Sequence, residues 1–276
     1  MTADSTITSQ ASVAAQNASN GQPRTKICVY CGSAPGASPA HIEAARALGK
    51  AMAENNIDLG ESLPRGGSPG CRDKHPALTA VLRAYAAMTS KLTSDIVYGG
   101  GTVGLMGEVA KSLCAINGPD SVHGIIPEAL VKYERDGTYG TVNEHNHIVP
   151  EEAVYGRTTV VKDMHTRKKL MAEEVFAGGP GSGFIGLSGG FGTMEEIFET
   201  TTWNQLGIHN RGIVLLNIEG YWDGIVQWMD RAAEQGFVKP ANKNILVNAD
   251  TPEGAIKALR EYKVSDAIYQ LQWGSQ

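Results

Sequence analysis

The residues best equipped for chemistry lie in two short stretches. The first, 187–199, reads LSGGFGTMEEIFE and holds Ser188, three glycines (Gly189, Gly190, Gly192), the hydroxyl of Thr193 and two carboxylates, Glu195 and Glu196. An apolar run, FIGL at 184–187, leads into it, so the glycines turn a strand into a helix. Such a turn leaves backbone N–H groups pointing outward at the positive end of the helix dipole. That is an anion site, most often for phosphate, and glycine lets the backbone approach the ligand closely. Asp and Glu are favoured in a first helical turn for structural reasons alone. Beside a phosphate cradle they also suit the sugar of a nucleoside monophosphate. The second stretch, MHTRKKLM at 164–171, puts Arg167 and Lys168 within one helical turn of Met164. Arg167 offers a planar fork for phosphate or carboxylate, and Lys168 is more nearly a point charge. Taken by itself, an RKK run is more often a solvated basic face.

Other candidates are weaker. GGGTVGLMG at 99–107 is a second strand-to-helix glycine turn, bringing Gly100 and Gly101 to the same kind of edge. It lacks the spacing and the following acidic residue of a dinucleotide fingerprint, and a purely structural turn competes with a ligand role. Cys28 and Cys31 form a CxxC, but along a strand and with no second pair to complete a zinc site. His145, His147 and His165 lack metal-ligand spacing with acids, so no metal is assigned. Ser188 follows a strand as a nucleophile could, but G-x-S-x-G is absent.

These stretches must be held by regular elements. Strands are expected at 26–32, 95–101, 122–126, 184–187, 212–217 and 244–247, with extended chain at 141–149. Helices are expected at 39–55, after 107 to about 114, at 158–176, from the motif to about 205, at 221–235 and from 251 onward. Strand–helix alternation means a single α/β domain, a parallel sheet with helices on both faces. Ligands of such sheets sit at the carboxyl ends of the strands. Three glycine-bearing turns, after Cys31, Tyr98 and Leu187, fall at that edge.

The chain has 276 residues, a net charge of −5 and 33 glycines. With no basic stripe, a nucleic-acid partner is not expected. No run is apolar enough for a membrane span. Residues 1–24 are mostly small and polar, without the apolar core of a secretory signal, and read as a disordered tail before a domain at 25–276. Four cysteines without a disulfide pattern suit a cytoplasmic protein.

SGGFGTMEE resembles the PGGxGTxxE signature of the Lonely Guy family, the cytokinin-activating phosphoribohydrolases long labelled lysine decarboxylases. CVYCGSAPG, DIVYGGGTVGLMG, MHTRK and TWNQLGIH follow the family order, so the resemblance covers about 26–260. It implies a Rossmann-like fold, commonly a homodimer, without a metal or redox cofactor. The implied reaction is hydrolysis of the N-glycosidic bond of an N6-modified AMP to a free cytokinin base and ribose 5-phosphate. By resemblance, Arg167 and Glu196 are the catalytic pair. Gly189, Gly190, Gly192 and Thr193 hold the 5′-phosphate, Glu195 assists at the ribose, and Glu134 contacts substrate. Two alternatives use the same scaffold: a general AMP or purine nucleotide nucleosidase, and a non-catalytic nucleotide-binding protein.

The chain departs from the family at three points. The signature proline is Ser188, which gives up a fixed φ before the turn. GGPGSG at 178–183 lengthens the approach to the motif. Residues 60–94 interrupt what should be one buried strand, running from Ile57 into VYGGG; the second half, 77–91, suits a helix. The segment is either a genuine excursion, such as a lid or a dimer-edge decoration, or a retained intron or gene-model error: Gly60-Glu61-Ser62 can be encoded by a sequence containing a splice donor.

Overall fold

The computed structural model describes residues 23–54, 94–135, 141–142, 147–269 and 271. The tail expected at 1–24 (all but Pro23 and Arg24), the strand start at Ile57 and the helix at 77–91 lie outside the described residues.

Seven strands form one parallel sheet: β1 (Lys26–Tyr30), β2 (Asp95–Tyr98), β3 (Val122–Pro127), β6 (Arg157–Val161), β7 (Gly183–Gly186), β8 (Gly212–Leu216) and β9 (Leu246–Ala249). Their order is β6-β3-β2-β1-β7-β8-β9. Two short strands, β4 (Thr141–Val142) and β5 (Ile148–Val149), pair antiparallel beside it, where extended chain is expected. Alternation along β1 explains the two-sided core. Ile27, Val29 and Cys31 face one way, against α1 (Pro39–Glu54), α2 (Gly104–Asn117) and α7 (Pro252–Glu261). Cys28 and Tyr30 face the other, against α4 (Met164–Ala177), α5 (Phe191–Gln205) and residues flanking α6 (Asp223–Glu234). Successive side chains of a strand point to opposite faces, so the two thiols of the CxxC are divided between two cores and both are free.

The close seat of α1 on α2 depends on Gly49, where an added Cβ would lie 2.7 Å from Ser112 Cβ and 2.9 Å from the Val109 carbonyl. Leu48 and Met52 are fully buried in the same seam. Truncating either to Ala costs about 2–5 kcal/mol.

The chain runs leftward from β1 through β2 and β3 to β6, then returns to place β7 on the other side of β1. The loops after β1 and β7 therefore diverge at a topological switch point, where sheets of this class bind ligands. β2 pairs without interruption on both sides, from Lys26↔Asp95 to Val29↔Tyr98 and from Ile96↔Val122 to Tyr98↔Gly124. Residues 60–94 thus precede this ladder and do not split it.

One correction bears on the site. The helix expected at 158–176 is two elements. Thr158-Thr159-Val160-Val161 are β-branched, favour the pleated conformation and form the edge strand β6. A four-residue helix, α3 (Glu152–Tyr155), precedes it. Asp163 then caps α4, its Oδ1 accepting from Thr166 N at 2.9 Å. Arg167 consequently sits at the start of its helix, at the ligand edge of the sheet.

Candidate active site

The Ser188–Gly190 turn joins β7 to α5. Met194 N donates to the Gly190 carbonyl at 3.1 Å, so the N–H groups of Phe191, Gly192 and Thr193 precede the first intrahelical bond. Gly190 caps the helix with no side chain bonding these donors. The three glycines differ in their surroundings. A Cβ on Gly189 would collide with Thr193 Oγ1 and lie 3.0 Å from Gly32 N, so this glycine is required by close packing. A Cβ on Gly190 or Gly192 would meet nothing within 4 Å. Those two border the space a ligand would occupy.

That space is a cavity of about 320 Å³ whose lining includes Gly190, Gly192, Thr193, Glu195, Glu196, Glu134 and Arg167. Seven of the expected site residues therefore meet in one place. Cys31, Gly32, Ser33, Met106, Leu130, Met164 and Phe191 complete the wall. Arg167 is 6% exposed, so it is no part of a solvated basic face. Its guanidinium lies against the backbone of Gly99, where an added Cβ would collide with Nη2. Nη1 is 3.7 Å from Met164 Sδ, and Nε has no partner among the described residues. Glu134 also presents a buried, unpartnered oxygen, Oε2, beside Gly101. A buried donor and a buried acceptor left open are costly unless a ligand satisfies them.

Electrostatics separate the acids. Burial pushes the half-buried Glu196 carboxyl up to about 7; Arg167 pulls it down, while Glu195 and Glu134 add to the rise. Burial also raises Glu134, again opposed by Arg167. Glu196 is thus poised to change charge near neutrality, which suits a group that exchanges protons.

Other expected residues lie at one remove. Lys168 is absent from the cavity wall: its ammonium bonds Glu195 at 2.5 Å and Glu199 at 3.0 Å, tying α4 to α5. Burial works against its charge, but these carboxylates outweigh that and raise its pKa. Gly100 holds a left-handed φ of 74° under Ile125 and Ile126, and Gly101 abuts Met106 and Glu134 of the wall; neither glycine lines the cavity itself. Met171 is core, while Met164 lines the site.

One cluster was not legible in the sequence. Ser188 Oγ and His41 Nδ1 share a hydrogen bond of 3.0 Å, and Tyr221 Oη donates to the Gly189 carbonyl at 2.5 Å. His41 stands 147 positions before Ser188, and no local spacing announces the pair.

A glycine turn at the switch point, a helix start with uncapped amides, and a cavity walled by a buried arginine and a neutral-range carboxyl define an α/β protein with a polar small-ligand site. The sequence model described as "Possible lysine decarboxylase" matches residues 106–259. A probable cytokinin riboside 5′-monophosphate phosphoribohydrolase of Oryza sativa subsp. japonica is 34% identical over 90% of this chain and 78% of that protein. A cytokinin riboside 5′-monophosphate phosphoribohydrolase of Arabidopsis thaliana is 34% identical over 86% of this chain and 83% of its own length. The chain belongs to this family. A bifunctional cytokinin biosynthesis protein of Fusarium pseudograminearum is 43% identical over 91% of this chain, which spans only 43% of that relative's length.

Proposed function

We propose that the chain hydrolyses the N-glycosidic bond of an N6-modified adenosine 5′-monophosphate, releasing the free cytokinin base and ribose 5-phosphate. The observation that carries this reading is that the first-turn amides of α5 open into the same cavity as Arg167 and Glu196. The names of its relatives supply the substrate class.

The 5′-phosphate rests on the amides of Phe191, Gly192 and Thr193 and on the Thr193 hydroxyl. As the bond between C1′ and the base nitrogen breaks, positive charge builds on the ribose, as in glycoside hydrolysis. Ionised Glu196 stabilises that charge and takes a proton from the water whose oxygen bonds to C1′. The electron pair of the broken bond leaves with the base, which is protonated in turn. Arg167 orients the substrate or offsets charge on the departing base, and Glu195 and Glu134 contact sugar and base. Lys168 holds Glu195 in place.

The protein is proposed to act as a cytoplasmic homodimer. Its described cysteines are free and no described helix is long and apolar enough to cross a membrane. Phe191, at 96% exposure on the cavity wall, offers a second copy an apolar contact.

The test is incubation of the purified protein with isopentenyl-AMP, AMP and isopentenyladenosine, with chromatographic assay for free base. Release from isopentenyl-AMP well above the other two is expected. Equal turnover of AMP makes it a general nucleotide nucleosidase, release from the riboside alone removes the phosphate argument, and no release makes it a binding protein.

A further inference from the structure

A second cavity of about 570 Å³, lined by Ser33, Ser38, His41, Ser188, Gly189 and Tyr221 among others, adjoins the first at Gly32, Ser33 and Gly190 and reaches neither Arg167 nor Glu196. Gly189 is packed against Thr193 and Gly32, while the turn also borders the two cavities. Besides the first bond of α5, three hydrogen bonds tie the turn to neighbouring elements. Gly32 N donates to the Ser188 carbonyl at 3.0 Å, tying the turn to the loop after β1. The Ser188 hydroxyl is bonded to His41 Nδ1 at 3.0 Å, and Tyr221 Oη reaches the Gly189 carbonyl at 2.5 Å. The two side-chain ties brace one another: the His41 and Tyr221 rings meet edge-on at 5.7 Å between centroids. His41 is further seated against the β1 loop, where a Cβ on Gly36 would lie 2.9 Å from its Cδ2. Ser188 itself is 7% exposed.

We propose that His41 is a positioning residue for the phosphate-binding turn: acting through Ser188, with Tyr221 as the second strut, it holds the amides of residues 191–193 where they meet the substrate phosphate. His41 touches neither the reacting atoms nor the cavity that holds Arg167 and Glu196. Its loss weakens phosphate binding and leaves the chemical step alone. The inference rests on the reading that a 5′-phosphate occupies the turn.

The test compares wild type, Ser188→Ala, His41→Phe and the double variant. His41→Phe keeps a ring against Tyr221 without Nδ1, and Ser188→Ala removes the same bond with the least change of shape. Each protein is assayed for KM and kcat on isopentenyl-AMP, for binding of ribose 5-phosphate by calorimetry, and for thermal melting. Each single variant should raise KM about fivefold and weaken ribose 5-phosphate binding by a similar factor, the range set by one lost hydrogen bond. kcat should stay within about twofold, and the double variant should be no worse than either single one, because both remove one bond. If His41→Phe does not fold, Ser188→Ala decides alone. Unchanged KM and ribose 5-phosphate binding in Ser188→Ala, additive losses in the double variant, or a fall in kcat with KM constant would each overturn the inference. A wild type that neither binds ribose 5-phosphate nor releases base fails the functional reading instead, and takes the phosphate role of the turn with it.

Discussion

Glu196 carries the sharpest prediction at the scale of single residues. The carboxyl of this half-buried residue sits near 7, above the ordinary carboxylate range, because desolvation, with Glu195 and Glu134 nearby, outweighs the pull of Arg167. The proposed reaction needs it ionised. kcat/KM should therefore be flat above about pH 7 and fall roughly tenfold per unit below it, where an unperturbed carboxylate would break near 4–5. The substrate phosphate titrates about a unit lower, so the variant Glu134→Gln separates the two. Removing that charge should move the enzyme's break downward and leave the substrate's in place. Glu196→Gln should lose on the order of a hundredfold or more in kcat; near-normal release of base by this variant would remove it from the chemistry. That Gly190, Gly192, Thr193, Glu195 and Glu196 would meet at one cavity was legible because they are written into one short stretch. The His41–Ser188 tie was not, because it joins two helix–turn junctions that only the sheet brings together.

Among the elements, the turn before α5 separates glycines required by the fold from those facing the ligand. Gly189→Ala drives a methyl into Thr193 and the Gly32 amide. It should destabilise by about 1–3 kcal/mol, the usual penalty of overpacking, read as a lower thermal midpoint. Gly190→Ala places its methyl in open space beside the cradle, at a φ of −96° that any residue adopts. Its midpoint should be unchanged while KM for the nucleotide rises. Equal midpoints for the two variants would contradict this division. The sequence showed three glycines within four residues, alike in appearance; only the Cβ directions in the fold distinguish them. The same holds for β6 and α4. The RTTVV run and the apolar residues after it blend into one helical-looking pattern, and the break is set by Asp163 capping α4 and by β6 pairing with β3. Burial of Arg167 follows from that break, which brings it to the ligand edge against Gly99.

For the whole molecule, the amino ends of the strands and the ligand edge do different work. At the amino ends of the central strands, α4 contributes Glu174, which bonds Lys26 at 2.6 Å on β1 and His123 on β3; His123 in turn bonds Thr159 of β6 at 2.8 Å. Burial pushes Glu174 up, but these hydrogen bonds and charges outweigh it and hold its carboxyl at about 2. A carboxyl depressed in the fold stabilises above its unfolded pKa and loses that contribution as pH falls through its folded one. Glu174→Gln should therefore cost about 3 kcal/mol at pH 7, with the difference from wild type shrinking between about pH 4.5 and 2 in denaturant titrations. A constant difference across that range would show that shape, not charge, is responsible.

The insertion enters at these same amino ends. α1 ends at Glu54, and β2 is paired on both sides from Asp95 and Ile96 onward, with Asp95 N also bonded to the Thr25 carbonyl at 2.9 Å. Four residues of strand, about 13 Å, separate this entry from the glycine turn at Gly99. Removing 60–93 leaves six residues between Glu54 and Asp95, within the usual length of a helix-to-strand connection. The shortened chain should fold and retain kcat/KM within about twofold, because every proposed site residue lies on the loops and helix starts at the opposite edge. A shortened chain that folds but loses turnover would make the insertion part of the catalytic unit, a lid reaching over from the far end of the sheet. Retained turnover, with a mature transcript lacking the codons for 60–94, would identify the segment as intron sequence carried into the chain.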